Sequence, residues 1–122
     1  MELTKLDIFN DSRGSLVEAF KLPTDGQINC IVINPNETRG NHYHLKNIEK
    51  FLVVYGVATI DVKNRDTGDM MGIVSSSGKP IMVTVLPNHT HRISTESEGA
   101  VVLIWSKDAF NKDEPDTYPE EF

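Results

Sequence analysis

The apolar residues of this chain fall into short runs, and no stretch keeps a helical period over the roughly ten residues that an amphipathic helix uses. Turn-forming residues such as Asp11-Ser12-Arg13-Gly14 separate the runs. This pattern predicts an all-β fold. The predicted strands are residues 3–9, 16–21, 27–34, 49–55, 57–63, 81–86, 92–95 and 100–105.

Within the segment 57–63, Ala58, Ile60 and Val62 alternate with the polar residues Thr59, Asp61 and Lys63. Because successive residues of a strand point to opposite faces, we expect Ala58, Ile60 and Val62 to face the core and their neighbours to face solvent. The runs 51–54 and 101–104 are instead apolar on both faces, which indicates packing between sheets or a subunit interface. The sequence therefore predicts a homodimer.

The length of 122 residues is that of one domain, which we expect to span residues 1–122. Residues 107–122 are polar and broken by prolines, so we expect them to form an extended C-terminal tail. The net charge is −6 and the basic residues are scattered, which argues against a nucleic-acid partner. No segment approaches the roughly 18 apolar residues of a membrane helix, and a lone cysteine, Cys30, fits a reducing compartment. These features predict a cytoplasmic protein without a membrane partner.

All four histidines lie in two short clusters, His42-Tyr43-His44 and His89-Thr90-His91, and Glu49 follows the first. Residues i and i+2 of a strand share a face, so such a cluster can direct two imidazoles into the interior of a closed sheet. Imidazoles with one carboxylate suit zinc, iron, manganese, nickel or copper and leave a position for water or substrate. The alternative is that these side chains form only the polar wall of a pocket.

The spacing His42-x-His44-x4-Glu49-x6-Gly56 resembles the first motif of the cupin superfamily. Residues 86–91 resemble the second motif more loosely, because Asn88 stands where the family has glycine. Asparagine tolerates the left-handed backbone that such a turn needs.

This resemblance implies a single-domain cupin, which is a jelly-roll-like antiparallel β-barrel. It also implies that His44, Glu49 and His91 bind a divalent metal inside the barrel. Zinc is the expected ion, with iron, manganese and nickel as alternatives. His89 is then expected to be an exposed turn histidine.

Longer matches narrow the family. The segment Asp11-Ser12-Arg13-Gly14, with Glu18 and Phe20 after it, resembles the opening of epimerases of the dTDP-4-dehydrorhamnose 3,5-epimerase type. Arg39-Gly40-Asn41-His42 resembles their R-G-x-H motif, in which the histidine is the catalytic base. Residues 39–44, 49–54 and 115–118 resemble the C-terminal cupin domain of the bifunctional capsular-polysaccharide enzymes. That domain epimerises C3 of a UDP-4-keto-6-deoxy amino sugar at a zinc-containing barrel.

These resemblances imply an isomerase that acts next to the C4 ketone of a 4-keto-6-deoxy nucleotide sugar in surface-polysaccharide biosynthesis. They imply His42 as the base, a role that suits an imidazole because its ordinary pKa is near neutrality. The groups expected to hold the nucleotide diphosphate and the sugar are Arg13, Glu18 and Arg39.

Several alternatives stay open at the level of the sequence. His42 could be a fourth metal ligand instead of the base. The activity could be that of a sugar 3,4-ketoisomerase, or the chain could be a non-catalytic cupin that binds a metal or a sugar. Tyr43 and Tyr55 are both candidates for a catalytic acid, and the sequence does not choose between them.

Overall fold

The computed structural model describes residue 5, residues 7–22 and residues 26–122, without the side chains of residues 19–22. This part of the chain forms ten strands and no helix. It therefore contains no helix that is long and apolar enough to cross a membrane. The predicted strand at residues 3–9 lies partly outside the described residues. The side chain of Phe20 is not described either. The strands are β1 (Ile8–Asp11), β2 (Gly14–Leu22), β3 (Gly26–Ile33), β4 (Thr38–Tyr43), β5 (Glu49–Asn64), β6 (Met70–Ser76), β7 (Val83–Val85), β8 (His89–Ser94), β9 (Ala100–Ser106) and β10 (Tyr118–Pro119).

The strands pair antiparallel in the order β1-β2-β3-β9-β5-β8-β4-β10, and β6 and β7 also pair with β5. The first half of the 16-residue β5 pairs with β7 and β9, and its second half pairs with β6 and β8. One long strand therefore belongs to both sides of the sheet and curls it into a half-barrel. The predicted all-β, antiparallel fold is confirmed.

A bulge in β5 changes which residues face the interior. Phe51 and Val53 point inward before it, with 3% and 1% of their surface exposed. The register against β9 shifts after Val53, and Ala58 and Ile60 then point inward at 1% exposed each. The predicted core positions Ala58 and Ile60 are thus confirmed, and Val62 packs against the same core.

The core lies between the inner faces of β3, β5, β7, β8 and β9. Its buried apolar residues are Ile31, Ile33, Phe51, Val53, Ala58, Ile60, Val85, Ile93, Ala100, Val102 and Ile104. The outer faces of β5 and β9 are apolar as well, since Leu52 and Leu103 are half-buried and Val54 is exposed. The homodimer that this two-sided pattern indicates stays a prediction.

Besides the two-residue β10, the structure contains two strands that the sequence pattern does not predict. β4 carries Gly40 and Asn41 in its centre and polar residues around them. β6 leaves Met70, Met71 and Val74 exposed, because it pairs only with β5 among the described strands. Neither strand shows the apolar alternation by which a half-buried strand is recognised.

Several predicted boundaries are also wrong, and the strand predicted at 92–95, for example, is His89–Ser94. The strands predicted at 49–55 and 57–63 are one continuous strand, which passes through Gly56 at a φ of 78°. The strand predicted at 81–86 is only Val83–Val85.

Residues 107–122 leave the core after β9. The short strand β10 pairs with β4, and the main-chain N–H groups of Asp108 and Phe110 donate to the side chains of Asn47 and Gln27. This polar segment is largely exposed and runs along the barrel. That residues 1–122 form one domain with this segment as its tail stays a prediction.

Candidate metal centre and active site

The curled sheet encloses a cavity of about 1020 Å³, which is at the upper end of the range for small-molecule sites. Its wall includes the inner faces of β2 to β5 and much of residues 108–118. Every residue that the sequence assigns to metal or substrate lines it. These residues are Arg13, Glu18, Arg39, His42, His44, Glu49 and His91.

A bulge in β4 brings Arg39 and His42 to the same face. Residues three apart in a regular strand face opposite sides. Here the register against β8 shifts between Gly40 and His42, and Asn41 is the additional residue. Gly40 and Asn41 have positive φ angles of 101° and 55°, which accommodate the bulge. Arg39 and His42 therefore both line the cavity.

Three imidazoles and one carboxylate converge inside the cavity. Nε2 of His44 lies 2.7 Å from Oε1 of Glu49, and Nε2 of His91 lies 3.2 Å from the same oxygen. The ligand atoms of His42, His44, Glu49 and His91 all lie within 4.8 Å of one another. His44 and His91 are 7% and 3% exposed, so both imidazoles are shielded from bulk water.

A main-chain carbonyl holds the second ring nitrogen of each buried imidazole. Nδ1 of His44 lies 2.6 Å from the carbonyl oxygen of Asp116, and Nδ1 of His91 lies 3.3 Å from that of His89. With Nδ1 as the donor, Nε2 of each ring is directed at Glu49. Metal-binding imidazoles usually have such an acceptor on the nitrogen that does not bind the ion.

The electrostatics of Glu49 and His44 favour a cation between them. Burial raises the pKa of Glu49, but hydrogen bonds from His44 and His91 outweigh burial and bring the pKa well below its ordinary value. Burial lowers the pKa of His44, but the interactions of its ring with Glu49 and Asp116 together outweigh burial and leave the pKa raised. An ionised carboxylate thus faces two Nε2 atoms whose protons a divalent ion can replace. These residues fit such an ion, and the cluster can hold one.

His42 differs from the two other imidazoles of the cluster. No hydrogen bond joins its ring to a residue that the structure describes, and its centroid lies 4.7 Å from that of His91 and 5.1 Å from that of His44. Burial, followed by the neighbouring imidazoles, lowers the pKa of His42 to about 4. The ring is therefore neutral near pH 7, and a neutral imidazole can accept a proton.

Two arginines meet at Asp11 beside the β1–β2 turn. Nε of Arg13 lies 3.2 Å from Oδ2 of Asp11, and Nη1 of Arg39 lies 3.8 Å from the same oxygen. The hydrogen bonds from Arg13 lower the pKa of Asp11 to about 2. The side chain of Arg39 is 13% exposed and that of Arg13 is 39% exposed, so Arg39 is the more enclosed cation.

Other candidates from the sequence lie outside the cluster. His89 is half-buried rather than exposed, because its Nδ1 folds back to within 2.9 Å of the carbonyl oxygen of Pro87. Asn88 has a φ of 62°, as the turn requires. Neither Tyr43 nor Tyr55 is among the residues that line the cavity, and a catalytic acid role for either stays a prediction.

Sequence reasoning missed two residues that contact the cluster. Ser106 donates to Oε2 of Glu49 at 3.2 Å, and the carbonyl of Asp116 accepts from His44. Ser106 lies opposite Glu49 in the β5–β9 register, and Asp116 is 72 residues from His44. A local sequence pattern contains no signal for contacts at this range.

The curled antiparallel barrel and its inward cluster of three histidines and a glutamate define a cupin. More narrowly, residues 9–118 match the polysaccharide biosynthesis C-terminal domain family, and the chain belongs to this family. Over 110 residues it is 36% identical to the UDP-2-acetamido-2,6-beta-L-arabino-hexul-4-ose reductase of Pseudomonas aeruginosa. The aligned residues make up 89% of this chain and 30% of the reductase.

Solved structures agree with this assignment. The capsular polysaccharide assembling protein CapF from Staphylococcus aureus superposes with a TM-score of 0.92 and 31% identity, over 98% of this chain and 33% of that one. Oxalate decarboxylase from Bacillus subtilis superposes with a TM-score of 0.77 and 20% identity, over 93% of this chain and 30% of that one, which concerns the fold alone. The chain therefore spans about a third of the length of these relatives. The predicted cupin fold and family are confirmed.

Proposed function

We propose that this chain is a metal-containing epimerase that acts next to the C4 ketone of a 4-keto-6-deoxy nucleotide sugar in surface-polysaccharide biosynthesis. The observation that carries the proposal is the convergence of His42, His44, Glu49 and His91 in a cavity of about 1020 Å³. The family and the nucleotide-sugar relative support the substrate class.

In this proposal His44, Glu49 and His91 hold the ion, which we take to be zinc, because imidazole and carboxylate ligands around an open position suit it. Iron, manganese and nickel accept similar ligands, and which ion occupies the site also depends on the availability of each metal in the cell. When bound, the ion supplies a Lewis acid that stabilises negative charge on a ketone oxygen.

His42 is the base in this proposal. Its neutral ring faces the cavity without a hydrogen bond to a described residue, so a ring nitrogen is free to take the proton from C3. The C–H electron pair then delocalises into the adjacent ketone as an enolate. A proton from solvent then adds to C3 on the opposite face and inverts its configuration, and His42 releases the abstracted proton to solvent. A base with a lowered pKa has less driving force for this step, so stabilisation of the enolate must contribute more.

Arg13, Glu18 and Arg39 hold the substrate in this proposal. Guanidinium groups bind phosphate oxygens with two parallel hydrogen bonds, and Asp11 orients both arginines at the cavity wall. Arg39 is the stronger candidate, because the bulge in β4 places it on the same face as His42. We further propose a homodimer in the cytoplasm, and sedimentation of the purified protein tests the oligomeric state.

Deuterium exchange tests the proposed reaction. The zinc-loaded protein is incubated in D₂O with a UDP-4-keto-6-deoxy amino sugar, and NMR follows the C3 proton. We expect exchange at C3, its loss in His42→Ala, and full exchange in His89→Ala, a half-buried histidine outside the cluster. A ketoisomerase would instead move the ketone to C3. A protein that binds the sugar without exchange would be a non-catalytic cupin, and the proposed activity would be wrong.

A fourth-ligand role for His42 is the competing assignment. This assignment is favoured because the ligand atom of His42 lies within 4.8 Å of the ligand atoms of the other three residues. The zinc content of His42→Ala separates the two assignments, because a base can be removed without loss of the ion.

A further inference from the structure

The last residues of the chain lie along the free edge of β4. We call residues 116–122 the C-terminal strap. Tyr118 pairs with Tyr43 and stacks on its ring at a centroid distance of 5.3 Å. The N–H of Glu120 donates to the carbonyl of Asn41 at 2.9 Å, and its carboxylate lies 2.9 Å from Nε of Arg65. The strap therefore extends the sheet by one strand next to the segment that carries His42 and His44.

The carboxylate of Asp116 holds the turn between β4 and β5. Oδ1 accepts the main-chain N–H of Leu45 at 2.9 Å, and Oδ2 accepts those of Lys46 and Asn47 at 2.9 Å each. This turn joins His44 to the start of β5 at Glu49. One side chain from the strap thus fixes the backbone between two of the proposed metal ligands.

The main chain of the same residue orients the His44 ring. The carbonyl oxygen of Asp116 lies 2.6 Å from Nδ1 of His44, and Oγ1 of Thr117 lies 3.4 Å from that nitrogen. The corresponding acceptor for His91 is the carbonyl of His89, two residues away on the same strand. The orientation of His91 is therefore maintained locally, whereas that of His44 depends on a segment 72 residues further along the chain.

We propose that Asp116 is a positioning residue that presents Nε2 of His44 to the metal, so that docking of the strap and binding of the ion are coupled. The inference rests on the metal site of the proposed function. With the strap docked, the carbonyl of Asp116 keeps a proton on Nδ1 of His44, so Nε2 is the ring nitrogen available to an ion beside Glu49. With the strap released, the ring can rotate and exchange tautomers, and only a fraction of molecules is competent to bind. Reciprocally, the bound ion favours the docked strap.

The zinc affinity of an Asp116→Ala variant tests this coupling. The full chain is titrated with zinc against a chromophoric chelator, well below the unfolding temperature. We expect the affinity to fall roughly 10- to 100-fold, which is the usual effect of removing support from a metal ligand. Asp113→Ala is the matched control, because it removes an exposed carboxylate of the same tail, and it should leave the affinity unchanged.

Imidazole ¹⁵N NMR supplies a readout that a merely structural role would not change. In the zinc-loaded wild type, Nδ1 of His44 should be protonated and Nε2 should carry the ion, and in Asp116→Ala the Nδ1 signal should broaden or shift. Coordination through Nδ1 in the wild type would overturn the inference without any variant. If Asp116→Ala does not fold, Asp116→Asn replaces it, since it keeps the shape and loses the charge.

The outcomes separate the two proposals. If the wild type and Asp116→Ala bind zinc equally well, the positioning role alone is overturned and the metal site stays intact. A wild type that binds no zinc would overturn the metal site and this inference with it.

Discussion

Gly40 is the residue on which the geometry of β4 depends most, and Gly40→Ala is the most informative single substitution. Gly40 adopts a φ of 101°, which side chains rarely allow. A Cβ at this position would lie 2.8 Å from the carbonyl oxygen of His91 and 3.0 Å from Cα of Arg92. Both contacts are with the backbone of β8, which cannot move without disturbing the strand that carries His91.

The expected destabilisation follows from these contacts. A non-glycine residue in this region costs about 1–3 kcal/mol, and the contact with β8 adds to that, so we expect Gly40→Ala to lower the free energy of unfolding by about 2–4 kcal/mol. In a domain of this size the midpoint of thermal unfolding should fall on the order of 10 °C. If the chain relaxes by removing the bulge instead, His42 turns away from the cavity and exchange at C3 is lost.

Urea unfolding of the metal-free protein measures the stability, and the C3 exchange assay measures the site. Gly78→Ala is the control, because a Cβ there meets nothing within 4 Å and Gly78 has no positive φ. Equal stability and equal exchange in Gly40→Ala and Gly78→Ala would show that the bulge does not need glycine.

Three further predictions concern the base, the core and the charge of Glu120. His42→Gln should reduce C3 exchange roughly 100- to 10,000-fold and leave the zinc affinity intact, and a parallel loss of zinc would instead make His42 a ligand. Ile60→Ala, at a side chain 1% exposed, should cost about 2–5 kcal/mol in urea unfolding, whereas Val74→Ala, at 64% exposed, should cost less than about 0.5 kcal/mol. Glu120→Gln tests pH dependence: hydrogen bonds from Thr90 and Arg65 lower the pKa of Glu120, so its carboxylate stabilises the fold above its ordinary pKa and ceases to do so as the pH falls through its folded pKa. The stability difference between wild type and Glu120→Gln should therefore be present at pH 7 and vanish in acid, and a difference that persists in acid would show that charge is not its cause.

Much of the fold could be predicted because the pattern of buried side chains is local. Ala58 and Ile60 alternate with polar residues along β5, and that alternation is sufficient to assign both to the core. The motif spacing similarly predicts that His42, His44, Glu49 and His91 converge, because it places each on a strand or turn that faces the interior.

The remainder depends on features that a local pattern does not contain. β4 is held by pairing with β8 and β10. Gly40 and Asn41, which form its bulge, are residue types typical of turns and not of strands. The contacts of the tail with the site could not be predicted either, because the polar composition of residues 107–122 predicts only that the tail is exposed to solvent. The sequence cannot reveal that the carboxylate and carbonyl of Asp116 contact a turn and a ring some 70 residues away.

The metal site depends on two imidazoles and a carboxylate from distant parts of the chain sharing one ion. Elemental analysis of the protein after zinc loading and removal of free metal tests it most directly. We expect about one zinc ion per chain in the wild type and in His89→Ala, and little in His44→Ala, Glu49→Gln and His91→Ala. A wild type without bound metal, or a zinc content that survives all three ligand substitutions, would contradict it.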